Sequence, residues 1–403
     1  MLDEANSERL REVGLVSGAV WSDLDGDGWP ELILACEWGS LRVFHNERGR
    51  LVVMDVPVSL ASGGATTLSQ LTGWWNGVTT GDLDGDGRMD IIASNWGRNT
   101  KYRASEKSPR LIYYGDFSQH DVVDLVEACH DELGKEVPDR DLDSLAAGLA
   151  FMRGRFPSYA AYNQATIPEV LGDALKAAHK LEATTLDSMM FLNRSNGFVA
   201  VPLPCEAQFA PAFAVCVGDF DGDGLEDVFL SQNVFATEPK TPRCDAGRGL
   251  WLRGDGHGGL QPVPGQESGI KVYGEQRGAA LCDYDHDGRV DLVVTQNGNQ
   301  TRLFHNVGAK CGLRVRLVGP AGNPCGIGTV VRLDYGGGFG PAREVHGGSG
   351  YWSQDGPVQV LGMAQAPVGI WVRWPGGKTI LAKLPAGVRE ISVSQHGEMK
   401  VLR

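Results

Sequence analysis

One nine-residue pattern occurs four times in this chain, and it constrains the fold more than any other feature of the sequence. Each copy has an acidic residue at positions 1, 3, 5 and 9 and a glycine at position 6. Four carboxylates within nine residues repel one another strongly unless a cation lies among them. We call the copies loops 1 to 4, in chain order: residues 23–31, 82–90, 219–227 and 283–291.

The chemistry of the ligands indicates calcium. Carboxylate and carbonyl oxygens are hard ligands, and a flexible loop that offers several of them suits Ca²⁺ better than Mg²⁺, which requires a tight octahedron. The glycine at position 6 permits the sharp turn that brings position 9 back to the ion, and the carbonyl of position 7 supplies a further oxygen. The sequence therefore predicts about four Ca²⁺ ions per chain, one per loop. The predicted ligands are Asp23, Asp25, Asp27, Trp29 and Glu31 in loop 1, Asp82, Asp84, Asp86, Arg88 and Asp90 in loop 2, Asp219, Asp221, Asp223, Leu225 and Asp227 in loop 3, and Asp283, Asp285, Asp287, Arg289 and Asp291 in loop 4.

Two other interpretations of the pattern are weaker. An EF-hand loop begins in the same way, but it requires Glu at position 12 and a helix on each side. Position 12 is apolar in all four copies, and short apolar runs typical of β-strands flank each loop. Acidic surface turns without an ion are the second alternative, and four copies with the same acidic positions disfavour it. Each loop is therefore predicted to join two strands around a structural calcium ion.

The net negative charge of the chain lies in these loops. Its 403 residues include 37 basic and 50 acidic ones, which gives a net charge of −13. Without the sixteen loop carboxylates, 34 acidic residues would remain and the net charge would be +3. An acidic chain without a basic patch argues against nucleic acid as a partner. No apolar run is long enough for a transmembrane helix.

The loops recur with a period typical of blade-like β units. They begin at residues 23, 82, 219 and 283, so two of the three spacings are about 60 residues. Similar runs at Leu41–Asn46 and Arg302–Asn306 predict a third strand after loops 1 and 4.

The long gap between loops 2 and 3 holds a worn copy and an insertion. Residues 111–126 keep the strand–loop–strand outline, but Ser118 and His120 replace the acidic residues at positions 3 and 5, so no calcium is expected there. Residues 129–188 change to a helical period, which predicts two or three inserted helices.

Residues 15–128 and 189–306 resemble the FG-GAP/VCBS repeats of integrin-α-type β-propellers, on the basis of the four loops and their flanking strands. Residues 312–395 resemble the ASPIC/UnbV module, which follows such repeats in the cartilage acidic protein-like family. The two resemblances imply a mainly β fold: a calcium-loop β-propeller over residues 1–306, with a helical insertion at about 129–188, and a small β domain over 312–395. The motifs that carry the second resemblance are Gly322–Gly328, Arg343–Val345, Gly348–Gln354 and Val372–Gly377.

The resemblance implies a non-enzymatic calcium-binding protein for extracellular or cell-surface recognition or adhesion, with a protein or a glycan as its ligand. The alternative is an enzyme, or an accessory protein, that acts on glycans or in secondary-metabolite biosynthesis of the enediyne type. Such proteins are usually exported, so an extracellular, periplasmic or cell-surface location is expected, although the first residues lack a signal-peptide pattern. The family suggests a ring of about seven blades, and the five blade-like units in this sequence therefore predict an N-terminally truncated, incomplete propeller.

Two aromatic pairs have two interpretations. Trp74–Trp75 and Tyr351–Trp352 are either platforms on which a carbohydrate stacks or residues that pack between blades. Packing is the expected outcome for both pairs.

Overall fold

The computed structural model describes residues 3–61 and 63–403, and the described chain is mainly β. Its strands form several small sheets, and its helices are few and short. Among the described residues no helix is long and apolar enough to cross a membrane. The helices are Glu4–Leu10, Leu142–Gly148, Met152–Arg155, Tyr159–Tyr162, Ile167–Leu171 and Gly265–Ser268, with 3₁₀ turns at Leu68–Gln70, Gly172–Ala177 and Cys205–Gln208.

Four sheets carry the acidic loops, and we call them loop sheets 1 to 4 in the order of their loops. Loop sheet 1 contains Leu15–Ser22, Glu31–Ser40, Arg42–Glu47, Arg50–Met54 and Thr72–Trp74. Loop sheet 2 contains Gly77–Gly81, Asp90–Ser94, Met189–Arg194, Gly197–Pro202, Pro57–Leu60 and Ala65–Thr67. Loop sheet 3 contains Ala212–Gly218, Asp227–Gln232, Leu250–Gly254 and Leu260–Val263, and loop sheet 4 contains Glu275–Cys282, Asp291–Asn297 and Arg302–Phe304.

Every acidic loop connects two antiparallel strands, as the sequence predicted. Position 1 directly follows the first strand of its sheet, and position 9 is the first residue of the second strand in all four cases. The third strands predicted after loops 1 and 4 are present as Arg42–Glu47 and Arg302–Phe304. With strands on both sides, none of the four loops is an EF-hand.

The loop sheets pack in series through their first strands. Leu15–Ser22 lies against Gly77–Gly81, which lies against Ala212–Gly218, which in turn lies against Glu275–Cys282. Alternate residues of one strand enter different cores: Ile91 faces loop sheet 1, whereas Ile92 faces loop sheet 3. Burial on both faces explains why these strands are almost continuously apolar rather than alternating.

Four of the six described helices, between Leu142 and Leu171, belong to an excursion between the strands Asp90–Ser94 and Met189–Arg194 of loop sheet 2. Four strands of this excursion form a separate sheet, which we call the accessory sheet. The helices pack on it around Leu111, Val126 and Met152, and the worn copy of the acidic loop lies between its first two strands. The strands of the accessory sheet are Arg110–Gly115, Asp124–His130, Glu136–Pro138 and His179–Ala183.

The C-terminal residues form two four-stranded sheets around one apolar core. One contains Leu313–Val318, Gln359–Leu361, Glu390–Ser394 and Met399–Val401; the other contains Val330–Asp334, Arg343–Glu344, Gly369–Arg373 and Thr379–Lys383.

We call residues 343–356 the central segment. It begins in the strand Arg343–Glu344 of a C-terminal sheet, leaves that sheet after Glu344 and contacts the first strands of all four loop sheets. Gly347 pairs with Trp21 of loop sheet 1, and Gly350 pairs with Val78 of loop sheet 2. Gly350 also lies against the backbone of Val215 in loop sheet 3. In loop sheet 4 the backbone N–H of Ala279 donates to Ser353 Oγ over 3.2 Å. The central segment therefore joins the C-terminal sheets to the whole series.

Gly350 supplies a direct test of this arrangement. A Cβ atom at Gly350 would lie 2.7 Å from the carbonyl oxygen of Val215, and the residue has a φ of +59°. We expect Gly350→Ala to lower the free energy of unfolding by about 2–4 kcal/mol, because it combines overpacking with a left-handed conformation. Gly338→Ala is the matched control, since a Cβ there would meet nothing within 4 Å. Urea denaturation that shows equal losses for both variants would contradict the proposed close approach.

Candidate metal centres

The carboxylate at position 1 organises each loop from inside. It accepts a hydrogen bond from the backbone N–H of the position-6 glycine in all four copies. The N···O distances are 3.1 Å for Gly28–Asp23, 3.0 Å for Gly87–Asp82, 2.8 Å for Gly224–Asp219 and 2.9 Å for Gly288–Asp283. These glycines have φ values from +88° to +92°, a conformation that other residues rarely adopt. The predicted role of the glycine in the turn therefore agrees with the geometry.

The carboxylate at position 9 ties three strands together. One of its oxygens accepts the backbone N–H of position 2, over 2.9 to 3.1 Å. The other accepts a backbone N–H at the end of the third strand, in loops 2 to 4 over 2.7 to 2.8 Å and in loop 1 over 3.4 Å. The donors at the third strand are Asn46, Asn193, Gly254 and Asn306 for loops 1 to 4.

Burial makes the position-9 carboxylates unusually weak acids. Desolvation, reinforced by neighbouring carboxylates, raises the pKa of Glu31 to about 7, that of Asp90 to about 7 and that of Asp227 to about 8. The pKa of Asp291 is raised for the same reasons. Without a cation, ionisation of these carboxylates is therefore unfavourable. A dication in the loop would favour their ionised form.

The side chains at positions 3 and 5 are more exposed and complete the turn. Position 3 accepts the N–H of position 5 over 3.0 to 3.3 Å, and position 5 accepts the N–H of position 7 over 2.7 to 2.9 Å. The position-7 residues are therefore placed by their amide groups, and ligation through their carbonyls stays a prediction. These residues are Trp29, Arg88, Leu225 and Arg289.

The carboxylates converge closely enough for one ion. In loops 1 to 3, oxygens from positions 1, 3 and 9 lie within 4.8 Å of one another. Two oxygens bound to one Ca²⁺ at about 2.3–2.6 Å can be at most about 5 Å apart, so this spacing fits a shared ion.

Asp82 offers an independent observation for loop 2. Its side chain is 1% exposed, and its Oδ1 has no hydrogen-bond partner. The corresponding oxygens of Asp23, Asp219 and Asp283 each accept a backbone N–H. A buried carboxylate oxygen without a partner is costly, and a cation among the carboxylates of loop 2 would satisfy it.

The worn copy keeps a turn similar to that of the acidic loops, but the donor to its position-9 carboxylate is position 3 instead of position 2. Asp116, at position 1, accepts the N–H groups of His120 and Asp121 over 3.0 and 3.1 Å, and Asp124, at position 9, accepts that of Ser118 over 2.7 Å. Asp121 stands at the glycine position with a φ of +58°. This copy has a turn like that of the acidic loops without their carboxylates at positions 3 and 5.

Sequence reasoning missed the side chains that approach the loops from the third strands. His45 reaches loop 1 and His305 reaches loop 4, whereas Arg194 and Arg253 reach loops 2 and 3. The tripeptide Phe-His-Asn, present at residues 44–46 and 304–306, carried the signal. From the sequence alone, this tripeptide indicates only a strand and not the approach of its histidine to a loop.

Comparison with known proteins supports both resemblances. The FG-GAP-like repeat family matches residues 23–93, which include loops 1 and 2. The ASPIC and UnbV family matches residues 319–399. This chain contains an FG-GAP-like repeat and an ASPIC/UnbV domain.

The chain is also distantly homologous to cartilage acidic protein 1 of Mus musculus. The two are 24% identical over 330 residues, which cover 79% of this chain and 46% of that protein. The chain therefore spans about half the length of this curated relative.

Similarity to solved structures is weak. The rhamnogalacturonan lyase YesW and the Bacillus licheniformis rhamnogalacturonan lyase PL11 each share 12% identity and a TM-score of 0.20 with this chain. Each alignment covers 93% of this chain and 76% of the lyase. A TM-score of 0.20 carries no conclusion about fold or activity.

The ASPIC/UnbV domain docks on the acidic loops through arginines and backbone amides. Arg373 Nη2 lies 2.7 Å from Asp23 Oδ2, and Arg314 Nη1 pairs with Asp283 Oδ2. The N–H of Ala342 donates to Asp82 Oδ2 over 2.7 Å.

Loop 3 is contacted through its position-8 residue. Arg343 is paired with Glu226, at an Nη2–Oε2 distance of 2.5 Å. Each of the four loops thus has a partner in the ASPIC/UnbV domain.

The pair of Arg314 and Asp283 provides a test of this docking. The two side chains are only 3% and 0% exposed, so removal of the guanidinium leaves a buried charge without a partner. We expect Arg314→Gln, measured in chelator by denaturant unfolding, to cost about 3–5 kcal/mol. Arg316→Gln is the control, because Arg316 pairs with Glu390 but is 39% exposed, and it should cost no more than about 1 kcal/mol. Similar losses for both variants would show that the contact with loop 4 contributes little.

Proposed function

We propose that this chain is a calcium-stabilised recognition module that works outside the cell or at its surface, and that it is not an enzyme. One observation carries the proposal: four loops of converging carboxylates lie between the strands of the loop sheets and the ASPIC/UnbV domain. An ion in each loop would fix the end of the first strand, the start of the second strand and the neighbouring third strand. Calcium would then act as a structural staple at four points.

The loop sheets are, in this proposal, blade-like units of a propeller-type array with the central segment along its axis. The FG-GAP-like match and the serial packing of the first strands support this arrangement. Leu303, on the last strand of loop sheet 4, is 53% exposed, which supports an open array. The extracellular setting of the proposal follows from the resemblance to the cartilage acidic protein-like family.

An exposed tryptophan stacked on a half-buried tyrosine supports recognition. Trp352 is 84% exposed and stacks on Tyr351, with ring centroids 5.7 Å apart and planes 11° from parallel. The pair borders a groove of about 430 Å³ beside Thr295 and Asn297. A φ of +49° at Trp352 is a strained conformation for a bulky residue, and strain of this kind often marks a functional position. The sequence analysis expected both aromatic pairs to pack inside the fold. Trp75 does so, since it is fully buried.

The polar residues of the central segment do not favour catalysis. His346 Nε2 lies 2.8 Å from Thr80 Oγ1 and 3.5 Å from Glu344 Oε2, and burial raises the pKa of nearby Asp355. These groups border a cavity of only about 40 Å³, which has room for roughly one or two water molecules and for no substrate.

The calcium component predicts about four ions per chain and a large stabilisation. A ligand that binds only the native state contributes about 2.7 kcal/mol per site at a hundredfold excess over its dissociation constant. EDTA should therefore lower the Tm by many degrees. Asp82→Asn should remove one ion in native mass spectrometry and part of the calcium-dependent rise in Tm.

Asp116→Asn is the control for this variant, because Asp116 holds the same position in the worn copy. It should change neither the number of bound ions nor the calcium-dependent part of the Tm. Fewer than three ions in the wild type, or a Tm that is the same with calcium and with chelator, would refute the calcium component.

The recognition component is tested with the calcium-loaded chain on a glycan array and on a panel of cell-surface proteins. We expect binding that Trp352→Ala abolishes while its Tm stays at the wild-type value. Tyr273→Ala, at an exposed tyrosine outside the acidic loops and the groove, is the control and should bind normally. Cleavage of a glycan by the wild-type chain would favour the enzymatic alternative. Binding that survives Trp352→Ala would show that the recognition surface lies elsewhere.

A further inference from the structure

The four acidic loops differ in the side chain that approaches them from the third strand. The loops can be aligned by the residue whose backbone N–H caps the position-9 carboxylate: Asn46, Asn193, Gly254 or Asn306. The residue before it is His45 at loop 1, Leu192 at loop 2, Arg253 at loop 3 and His305 at loop 4. At loop 2 the next residue after the capping one, Arg194, approaches the loop instead.

The two histidines place a ring nitrogen among the loop carboxylates. His45 Nδ1 lies 3.0 Å from Glu31 Oε1 and 3.4 Å from Asp25 Oδ2. His305 Nε2 lies 3.0 Å from Asp285 Oδ2 and 3.8 Å from Asp287 Oδ2.

Each ring nitrogen forms a compact ligand set with positions 3 and 5. The donor atoms of Asp25, Asp27 and His45 lie within 4.8 Å of one another, and so do those of Asp285, Asp287 and His305. Donors bound to one metal ion at about 2.0–2.4 Å have separations in this range.

At loops 2 and 3 an arginine, and not a histidine, approaches the position-3 carboxylate from the third strand. Arg253 Nε lies 2.8 Å from Asp221 Oδ2, and Arg194 Nη2 lies 2.7 Å from Asp84 Oδ2. A guanidinium neutralises a carboxylate, but it has no lone pair to offer a metal. A neutral imidazole has one, and it is a ligand that first-row transition metals accept and that calcium does not prefer.

We propose that loops 1 and 4 are mixed imidazole–carboxylate sites that accept a first-row transition-metal dication, whereas loops 2 and 3 offer oxygen ligands only. This inference rests on the proposed function in one respect, namely that the loops bind metal ions. It adds that the four sites are of two chemical classes, with His45 and His305 as the nitrogen ligands.

Mn²⁺ is the probe, because it accepts both carboxylate and imidazole ligands and is paramagnetic. Pulsed electron paramagnetic resonance of the calcium-free, Mn²⁺-loaded chain should show coupling to ¹⁴N. His45→Gln combined with His305→Gln should abolish that coupling and weaken Mn²⁺ binding at two of the sites by at least about tenfold. Calcium binding at the same loops should change less than Mn²⁺ binding does.

Two further variants make the test specific. His257→Gln, at an exposed histidine in a turn outside the acidic loops, should leave the nitrogen coupling unchanged. Arg253→His places an imidazole at the position of loop 3 that His45 and His305 hold in loops 1 and 4. It should add a third nitrogen-ligated Mn²⁺ ion.

The outcomes separate this inference from the proposed function. Four bound Ca²⁺ ions, with no nitrogen coupling from Mn²⁺ or with coupling that persists in the double histidine variant, would overturn the inference alone. Nitrogen-coupled Mn²⁺ in a chain that binds no Ca²⁺ would support the inference and refute the calcium component. A chain that binds neither metal would refute both.

Discussion

The buried carboxylate at position 1 is the interaction on which the rest of the structure depends. It closes its own loop by accepting the glycine N–H, and its Oδ2 also faces the ASPIC/UnbV domain. Arg373, the amide of Ala342 and Arg314 contact this oxygen in loops 1, 2 and 4. In loop 3, Gly362 packs so tightly against Asp219 Oδ2 that a Cβ atom would lie 1.5 Å from it. The same side chain therefore sets the conformation of a loop and the position of the domain that covers it.

The worn copy separates the requirements of the loop backbone from those of a ligand set. Residues 116–124 keep the hydrogen bonds of position 1, and position 9 still accepts a backbone N–H of the turn, although Ser118 and His120 replace two carboxylates. The backbone turn therefore needs only the first and last acidic residues. The extra carboxylates of loops 1 to 4 repel one another and are not required for the turn, and their arrangement is consistent with a metal site.

Local features of this fold follow from the sequence, and features that join distant segments do not. The strands around each loop and the glycine turn depend on residues less than ten positions apart. The approach of His305 to loop 4 depends on the register of two paired strands. The salt bridge of Arg373 with Asp23 joins residues 350 positions apart, and no spacing in the sequence predicts it.

The contacts of the central segment also join distant parts of the chain and could not be predicted from the sequence. Its glycines suggest a turn, but they are needed because Gly350 approaches Val215 and Val78 of two different sheets. The strained, exposed Trp352 follows directly after this contact. Its exposure is a property of the assembled array, which explains why packing was expected for it from the sequence.

The third strands differ in the charge and the ligand atoms that they bring to the loops. With all four carboxylates ionised, each loop would carry a charge of about −4, and one bound dication would leave about −2. Arg194 and Arg253 add one further positive charge beside loops 2 and 3, next to the position-3 carboxylate that would bind the ion. An imidazole that binds a metal ion is neutral, so His45 or His305 would add a ligand at loops 1 and 4 and no charge. Arg373 and Arg314 place a positive charge beside position 1 of loops 1 and 4, so the two classes differ in the ligand that the third strand offers and not in net charge. The third strand, and not the acidic pattern itself, therefore determines how the four loops differ.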